Sequence, residues 1–421
     1  MTSADILIIG AGPAGIAAAV SASTSGRKVM VLDDNLAEGG QIWRGGPRRP
    51  VNSEARSWFH RFANSGAELL RGHRAVDCSR RDRILYVETS HAAASLQYKQ
   101  LILATGAREL FIPFPGWTLP NVMGVGGLQA LAKAGLDIEG KRVVVGGSGP
   151  LLLAVAAYLA EHGAIVSAIL EQAPWSRLMR FSAGLVAHPA KLWQAMALKT
   201  ALASVPYLAG AWITQANGDG RVRSVRIHQS SGARDIACDY LAVAYGLIPN
   251  IELASLLGCE LRDGSVTVDE FQRSTCPEIF CAGESTGIGG VELSLLEGEI
   301  AGYAAAGRED RARKLFPARA RALRFAEKLN SAFAPREELR SLPDGETFIC
   351  RCEDVPLRKL RERRSWRDAK LHTRCGMGPC QGRVCGPATQ FLFDWTPEST
   401  RPPLFPARIS TLITELEKTS R

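Results

Sequence analysis

Two stretches of the chain repeat one order of apolar, small and acidic positions. The first opens with the apolar run Asp5-Ile-Leu-Ile-Ile9 and passes through Gly10-Ala-Gly12-Pro13-Ala14-Gly15 into a small-residue helix over 16–25. Gly26 stops that helix, and a second apolar run, Lys28-Val-Met-Val-Leu32, ends at Asp33. Short uninterrupted apolar runs bounded by glycine turns predict buried parallel strands, and the order predicts a βαβ unit. The second stretch starts at Lys141-Arg-Val-Val-Val145 and runs through Gly146-Gly147-Ser-Gly149-Pro-Leu-Leu152 into a helix ending near Glu161. After Gly163 comes a strand over 165–170, ending at Glu171.

Strand-like pieces around 68–78, 83–89 and 97–103 lie between these units, the last running into Ala104-Thr105-Gly106-Ala107. After the second unit come a strand over 240–245 with Gly246-Leu-Ile-Pro-Asn250, then Thr275-Cys-Pro-Glu-Ile-Phe-Cys-Ala-Gly283-Glu284 and a helix over 289–306. The charged, helix-permissive stretch 308–328 reads as a linker, and a short amphipathic helix is expected over 409–418. Apart from the two βαβ units there is no internal repeat.

The glycine pattern has a direct chemical use. Gly10 permits the tight turn, Gly12 lets a pyrophosphate approach the backbone, and Gly15 lets helix and strand pack closely. The helix N-terminus then faces the phosphates with its partial positive charge. Asp33 is placed to accept hydrogen bonds from a ribose. In the second unit Gly147, Gly149 and Glu171 hold the corresponding places. Leu152 stands where the third glycine belongs, and no basic cluster for a 2′-phosphate follows Glu171.

The chain has 421 residues, 46% apolar and 22% charged, which is enough for two or three globular domains and argues against disorder. Lys and Arg number 51 against 42 Asp and Glu, a net charge of +9. The basic excess gathers in 308–328 and 351–370, as solvated helix faces or as a docking surface for an acidic partner. Aromatic residues do not interleave with these charges, so nucleic acid is not an expected partner. The apolar 4–22 stretch lacks a basic leader and contains Asp5, and the 151–160 run is too short to span a bilayer. The default is a cytoplasmic protein, attached to the inner membrane face only through a partner. The seven histidines share no motif, and no acid–base constellation assembles around them; His188, after the apolar 184–187 run, is the first to test.

Of ten cysteines, Cys350, Cys352, Cys375, Cys380 and Cys385 fall within the last fifth of the chain. Clustering of this kind in a cytosolic protein reads as metal or redox chemistry. Four thiolates suit a 2Fe–2S cluster or a structural zinc ion. Cys350, Cys352, Cys380 and Cys385 form the expected ligand set, with Cys375 as a spare or neighbouring thiol.

Two glycine fingerprints, an Ala-Thr-Gly strand end between them and an Ala-x-Gly-Glu segment after them resemble the two-dinucleotide-domain flavoproteins, of which glutathione and thioredoxin reductases are members. The resemblance covers about residues 4–305. It implies an α/β chain with two Rossmann-like domains. FAD would be held by Gly10, Gly12, Pro13, Ala14, Gly15, Asp33, Gly40, Gln41, Ala104, Thr105, Gly106, Gly283 and Glu284. It further implies NAD(P) or another adenine nucleotide at Gly147, Gly149 and Glu171. No CxxC or CxxxxC redox pair lies near Gly40 or in the second unit, so disulfide reduction by the usual route is not expected. Cys350-Arg-Cys352 with Gly376-Met-Gly-Pro-Cys380-Gln-Gly-Arg-Val-Cys385 resembles the bacterioferritin-associated-ferredoxin type of 2Fe–2S module. The whole combination resembles the alpha subunits of bacterial heteromeric amine dehydrogenases: opine oxidases, hydrogen cyanide synthase, and proline and D-hydroxyproline dehydrogenases.

That resemblance implies an electron-transferring FAD/2Fe–2S subunit. Its partner would be a flavin beta subunit similar to D-amino-acid oxidase, which oxidises a D-amino acid, a (hydroxy)proline or an opine. Compatible additions are an FMN at a subunit interface and a small ferredoxin-like subunit. A stand-alone NAD(P)H:acceptor flavin oxidoreductase is the alternative, and a non-catalytic scaffold a third. The expected division is 1–118 with 246–306 for FAD, 119–245 for the second nucleotide, 307–346 as linker, 347–398 as the cluster module and 399–421 as a tail.

Overall fold

A computed structural model describes residues 2–397 and 400–413. The chain forms two compact units, one of residues 2–108, 248–327 and 400–413, the other of residues 109–247 and 328–397.

In the first unit, strand β1 (Thr2–Ile9), helix α1 (Pro13–Ser23) and strand β2 (Val29–Asp33) form the expected βαβ. β1 lies parallel to β2, with Ile6 opposite Val29, and parallel to the strand Ala93–Leu103, with Ile9 opposite Leu103. Glu68–Arg71 extends the sheet beyond β2. On its far edge Ala93–Leu103 pairs antiparallel with Ile84–Glu88 and parallel with Ile279–Cys281. Ile6, Leu7 and Ile8 have no solvent exposure, which explains an apolar run without alternation: both sheet faces are covered. Each such side chain contributes about 1.5–3 kcal/mol by leaving water.

The helix Gly290–Ala305 packs against α1. A Cβ on Gly298 would stand 2.1 Å from the Ala14 carbonyl oxygen, and one on Gly302 2.3 Å from that of Ala18. The two backbones therefore meet only because these positions lack side chains. The tail returns to this unit. Leu404 N–H donates to Val76 O (2.8 Å), and Arg408 donates to the carbonyls of Thr89 (2.6 Å) and Ser90 (3.0 Å). The helix expected over 409–418 is present over 409–413, and its remainder lies outside the described residues.

The second unit is built on five parallel strands. Strand β3 (Arg142–Gly147) lies between β4 (Ile165–Glu171) and Tyr240–Ala244, with Tyr207–Ala209 and Val122–Gly124 at the edges. Helix α2 (Leu151–Glu161) connects β3 to β4. A three-stranded antiparallel sheet over 212–237 adjoins it in sequence. Leu152 is fully buried in the apolar core with Val143, Val145 and Val155.

The linker region is two helices, Glu309–Arg313 and Phe316–Phe333, broken at Lys314-Leu315. The cysteine-rich segment falls in the same compact unit as 109–247 and has its own small apolar cluster, with Ile349, Leu360 and Trp366. It has a hairpin, Phe348–Cys350 with Val355–Pro356, followed by helices Trp366–Thr373 and Cys385–Phe393. Trp117 Nε1–H donates to Phe348 O at 2.7 Å and ties this segment to the rest of the unit.

Candidate functional site: a glycine cradle, a closed fingerprint and a thiol-lined cavity

In the first unit Gly10 makes the expected tight turn and Gly15 the expected close packing. Gly10 has φ +102°, and a Cβ there would stand 2.3 Å from Ala104 O. A Cβ on Gly15 would stand 1.8 Å from Gly10 O, so helix and turn close on each other. Gly12 is different. A Cβ there meets only Gly40 Cα, at 3.9 Å, and would project into open space at the start of α1. Pro13 is the first helical residue, and α1 has neither a side-chain cap nor an acid in its first turn. Its N-terminal N–H groups are thus left for an anionic ligand.

Gly40 and Gly283 complete the cradle. A Cβ on Gly40 would lie 3.0 Å from Gly12 Cα, and one on Gly283 2.7 Å from Ala14 Cβ. Asp33, at the end of β2, accepts from Ala11 N–H (2.6 Å) and from Asn35 N–H (2.8 Å). The next residue, Asp34, is exposed.

Thr105 and Gly106 fasten the adjoining loop. Thr105 Oγ1 donates to Asn250 O (2.6 Å), and Asn250 N–H donates to Gly106 O (2.9 Å). Gln41 is exposed and accepts from Arg44 at 2.6 Å, while Trp43 is buried edge-on to Phe59. Glu284 is the second residue of a short turn, Gly283–Thr286, and burial pushes its carboxyl above the usual carboxylate range.

Sequence reasoning missed Glu297. It is 2% exposed and accepts from Gly283 N–H (3.1 Å), Thr286 Oγ1–H (2.9 Å) and Arg319 Nε–H (3.2 Å). Its carboxylate thereby ties the Gly283 turn to the helix Gly290–Ala305. No local signal marked it, because Glu292 and Glu299 stand in the same helix and Glu299 also adjoins Gly298. The open space over Gly12 and the uncapped helix end fit the diphosphate of a dinucleotide.

The second fingerprint has similar backbone and different surroundings. Gly147 has φ +135°, and a Cβ there would stand 1.8 Å from Ala244 O. Glu171 is 1% exposed; it accepts from Gly149 N–H (2.7 Å) and Ala173 N–H (2.9 Å), and Ser148 Oγ lies 3.1 Å away. Burial pushes its carboxyl up to about 7. Ser148 Oγ–H donates to Phe333 O at 2.7 Å. Gln172, fully buried, donates to Ala334 O (3.1 Å) and accepts from Arg336 N–H (3.1 Å). Ser148 and Gln172 are therefore engaged by the protein's own backbone, and an acid with 1% exposure has no face to offer a ribose hydroxyl. These residues do not fit a pyridine nucleotide.

Cys350, Cys352, Cys380 and Cys385 line one cavity of about 230 Å³, together with Phe111 and Trp117. Cys350 ends a strand and Cys385 begins a helix. Gly378 lets the loop close, since a Cβ there would stand 2.3 Å from Cys352 Cβ. Cys375 is fully buried and is not among the cavity's lining residues, yet its Sγ lies within 4.8 Å of those of Cys350 and Cys385. Thiol hydrogen bonds from Cys375 and Cys385 pull the Cys350 thiol well below its ordinary range, and Cys385 does the same to Cys380. Cys375 and Cys385, as the donors, are held above theirs. Thiols that share protons in this way can lose them to a thiophilic metal. The sulfurs of Cys350, Cys375 and Cys385 are the ones spaced to share a metal, and Cys352 and Cys380 join Cys350 and Cys385 in lining the cavity beside them, so five thiols are at hand for a thiolate centre.

His188 precedes the helix Pro189–Ala201 as its N-cap. Among the described residues no helix is long and apolar enough to cross a membrane.

Two α/β units, each with a glycine-rich strand–turn–helix, define a dinucleotide-binding oxidoreductase fold. The chain belongs to the pyridine nucleotide-disulphide oxidoreductase family, whose model matches residues 4–308. It is similar to a subunit of the opine oxidase of Agrobacterium tumefaciens, 31% identical over 420 residues, covering 90% of this chain and 84% of that one. It is also similar to the HcnB subunit of hydrogen cyanide synthase from Pseudomonas aeruginosa, 30% identical, covering 90% of each. Among solved structures, L-proline dehydrogenase from P. horikoshii shares the fold, with a TM-score of 0.68 at 20% identity, over 98% of this chain and 79% of that one.

Proposed function

We propose that this chain is the electron-transferring FAD/2Fe–2S subunit of a heteromeric dehydrogenase. The complex would oxidise a D-amino acid, a (hydroxy)proline or an opine, and the amine would react in a partner flavin subunit. The observation that carries this reading is the cavity lined by Cys350, Cys352, Cys380 and Cys385 in a chain whose other unit holds an open dinucleotide cradle. Relatives at about 30% identity over nine-tenths of the chain are named as parts of multi-chain enzymes, which supports a partner.

When bound, FAD would supply a two-electron acceptor and a 2Fe–2S cluster a one-electron exit. Gly12 and Gly40 leave room for the diphosphate, and the free N–H groups of α1 face it. Asp33 lies at the ribose end. Glu297 holds Gly283 in place beside Ala14. Cys350, Cys352, Cys380 and Cys385 would hold the iron as thiolates, with Phe111 and Trp117 lining the same cavity. A partner flavin subunit would supply the amine-binding pocket. FMN at the interface, a membrane-side acceptor and a small ferredoxin-like subunit belong to the same proposal. The NAD(P)H:acceptor alternative needs an open second fingerprint, and Ser148 and Gln172 are engaged.

Co-expression with an oxidase-like partner, followed by purification and cofactor analysis, tests the reading. A complex with flavin, iron and acid-labile sulfide is expected. A chain that purifies alone, with zinc and no sulfide, removes the electron-relay role.

A further inference from the structure

We propose that the second dinucleotide fingerprint takes residues 333–336 of its own chain as its ligand, and that this strap keeps pyridine nucleotides out. The proposal concerns the second unit alone and stands whatever the first cradle holds.

In a doubly wound unit the acid that ends the second strand takes the ribose hydroxyls, and the residues after it border the adenosine. Here that acid is Glu171 and the next residue is Gln172. Both ends of the Gln172 carboxamide are bonded to the strap: Nε2–H to Ala334 O at 3.1 Å and Oε1 to Arg336 N–H at 3.1 Å. Ser148, between the two fingerprint glycines, donates to Phe333 O at 2.7 Å. Arg177 donates to Ala334 O at 3.3 Å. Side chains clamp both ends. Phe333 packs edge-on to Phe181 at 5.4 Å, and the Arg336 guanidinium lies over Trp212 at 4.8 Å.

The strap thus takes up the polar groups on which an adenosine would depend. The first unit makes the contrast: its residue after the acid, Asp34, is exposed, where Gln172 is fully buried. An intramolecular ligand also has the advantage of a high effective concentration over a free nucleotide. At Gly149 an added Cβ meets nothing within 4 Å, so the backbone there is not covered by the strap. Release of the strap would free Ser148 and Gln172 for a nucleotide.

Calorimetric titration and hydrogen exchange of the full chain test this together. The wild type is expected to show no saturable binding of NADH, NADPH or ATP at the second unit up to about 1 mM, and a slowly exchanging Arg336 amide. Titrations are run with the first cradle already saturated by FAD, so that any remaining binding reports the second. Gln172→Ala removes strap bonds from the fingerprint side, and Phe333→Ala with Arg336→Ala loosens the strap without touching the fingerprint. Both are expected to speed exchange at residue 336 at least tenfold and to create binding of an adenine nucleotide. Micromolar binding of NADH by the wild type overturns the proposal. So does faster exchange with no gain of binding, because the strap is then not what excludes the nucleotide. Unchanged exchange in the strap-side variant also overturns it, because the named contacts then do not hold the strap.

Discussion

Gly40 faces Gly12 so closely that a Cβ on Gly40 would stand 3.0 Å from Gly12 Cα, while a Cβ on Gly12 meets nothing nearer than 3.9 Å. The two positions exclude side chains for different reasons, and so does Gly15. Gly12→Val fills ligand space and leaves the fold intact; it should yield a folded chain with no bound FAD. Gly15→Ala places a methyl 1.8 Å from Gly10 O, and should destabilise the unit by about 3 kcal/mol or more. Flavin absorbance and thermal melts of both variants separate the roles. Stoichiometric yellow flavin in Gly12→Val would reject this placement of the cofactor.

The thiol cavity makes the ligand set testable one sulfur at a time. Cys385→Ser and Cys350→Ser should lose the cluster, because a hard oxygen is a poor ligand for iron–sulfur. Cys375→Ser should keep iron and its visible spectrum, since Cys375 does not line the cavity, although it touches two residues that do. The informative comparison is with Cys352, which is exposed. Cluster loss in Cys375→Ser together with retention in Cys352→Ser would transfer the fourth ligand to Cys375.

How far such features are legible depends on their range along the chain. The glycine spacing, the strand that follows and the acid at its end lie within one local unit, so Gly10, Gly12, Gly15 and Asp33 are readable without a structure. The same holds for the second unit's backbone, but not for what covers it. The strap touches Ser148 across 185 positions of sequence, and nothing in either segment advertises the other. Glu297 and Arg319 are 22 residues apart on different helices, and each alone resembles an ordinary surface charge. Spacing likewise cannot say which of five neighbouring thiols face a common cavity. Gln41, whose place after two glycines suggests a cofactor contact, lies at the surface and accepts from Arg44.

The buried Glu171 gives stability a definite pH dependence. Its carboxyl is pushed up to about 7 by burial, from an ordinary value of 4.5. The folded chain therefore keeps a proton that the unfolded chain releases, and the penalty for ionising Glu171 grows as pH rises from about 4.5 to about 7. Tyr207 and Tyr245, which face it, are themselves pushed up by burial and stay neutral over this range. Glu171→Gln removes the titration. Relative to wild type, the variant should gain about 2–3 kcal/mol between pH 4.5 and pH 8, read as the difference between paired urea melts. A constant difference across that range would mean that Glu171 does not titrate there.

The last prediction concerns where the amine reacts. Among the described residues, no histidine, carboxylate or amine gathers at the first cradle into an acid–base group that could deprotonate a substrate nitrogen. The acids near Gly12 have other duties. Asp33 holds the Ala11 and Asn35 amides, and Glu297 holds Gly283 and Arg319. On the function proposed above, a second flavin subunit would take hydride from carbon. The purified chain, loaded with flavin and iron, should therefore reduce an artificial dye no faster than a blank when given D-amino acids, proline derivatives or opines. Adding an oxidase-like partner subunit should produce substrate-dependent reduction. Cys385→Ser in this chain should then slow electron exit to the dye without changing the partner's own flavin reduction, measured anaerobically in a stopped-flow instrument. Robust amine-dependent reduction by the single chain, with the partner shown to be absent, would put the substrate site here and overturn the division of labour.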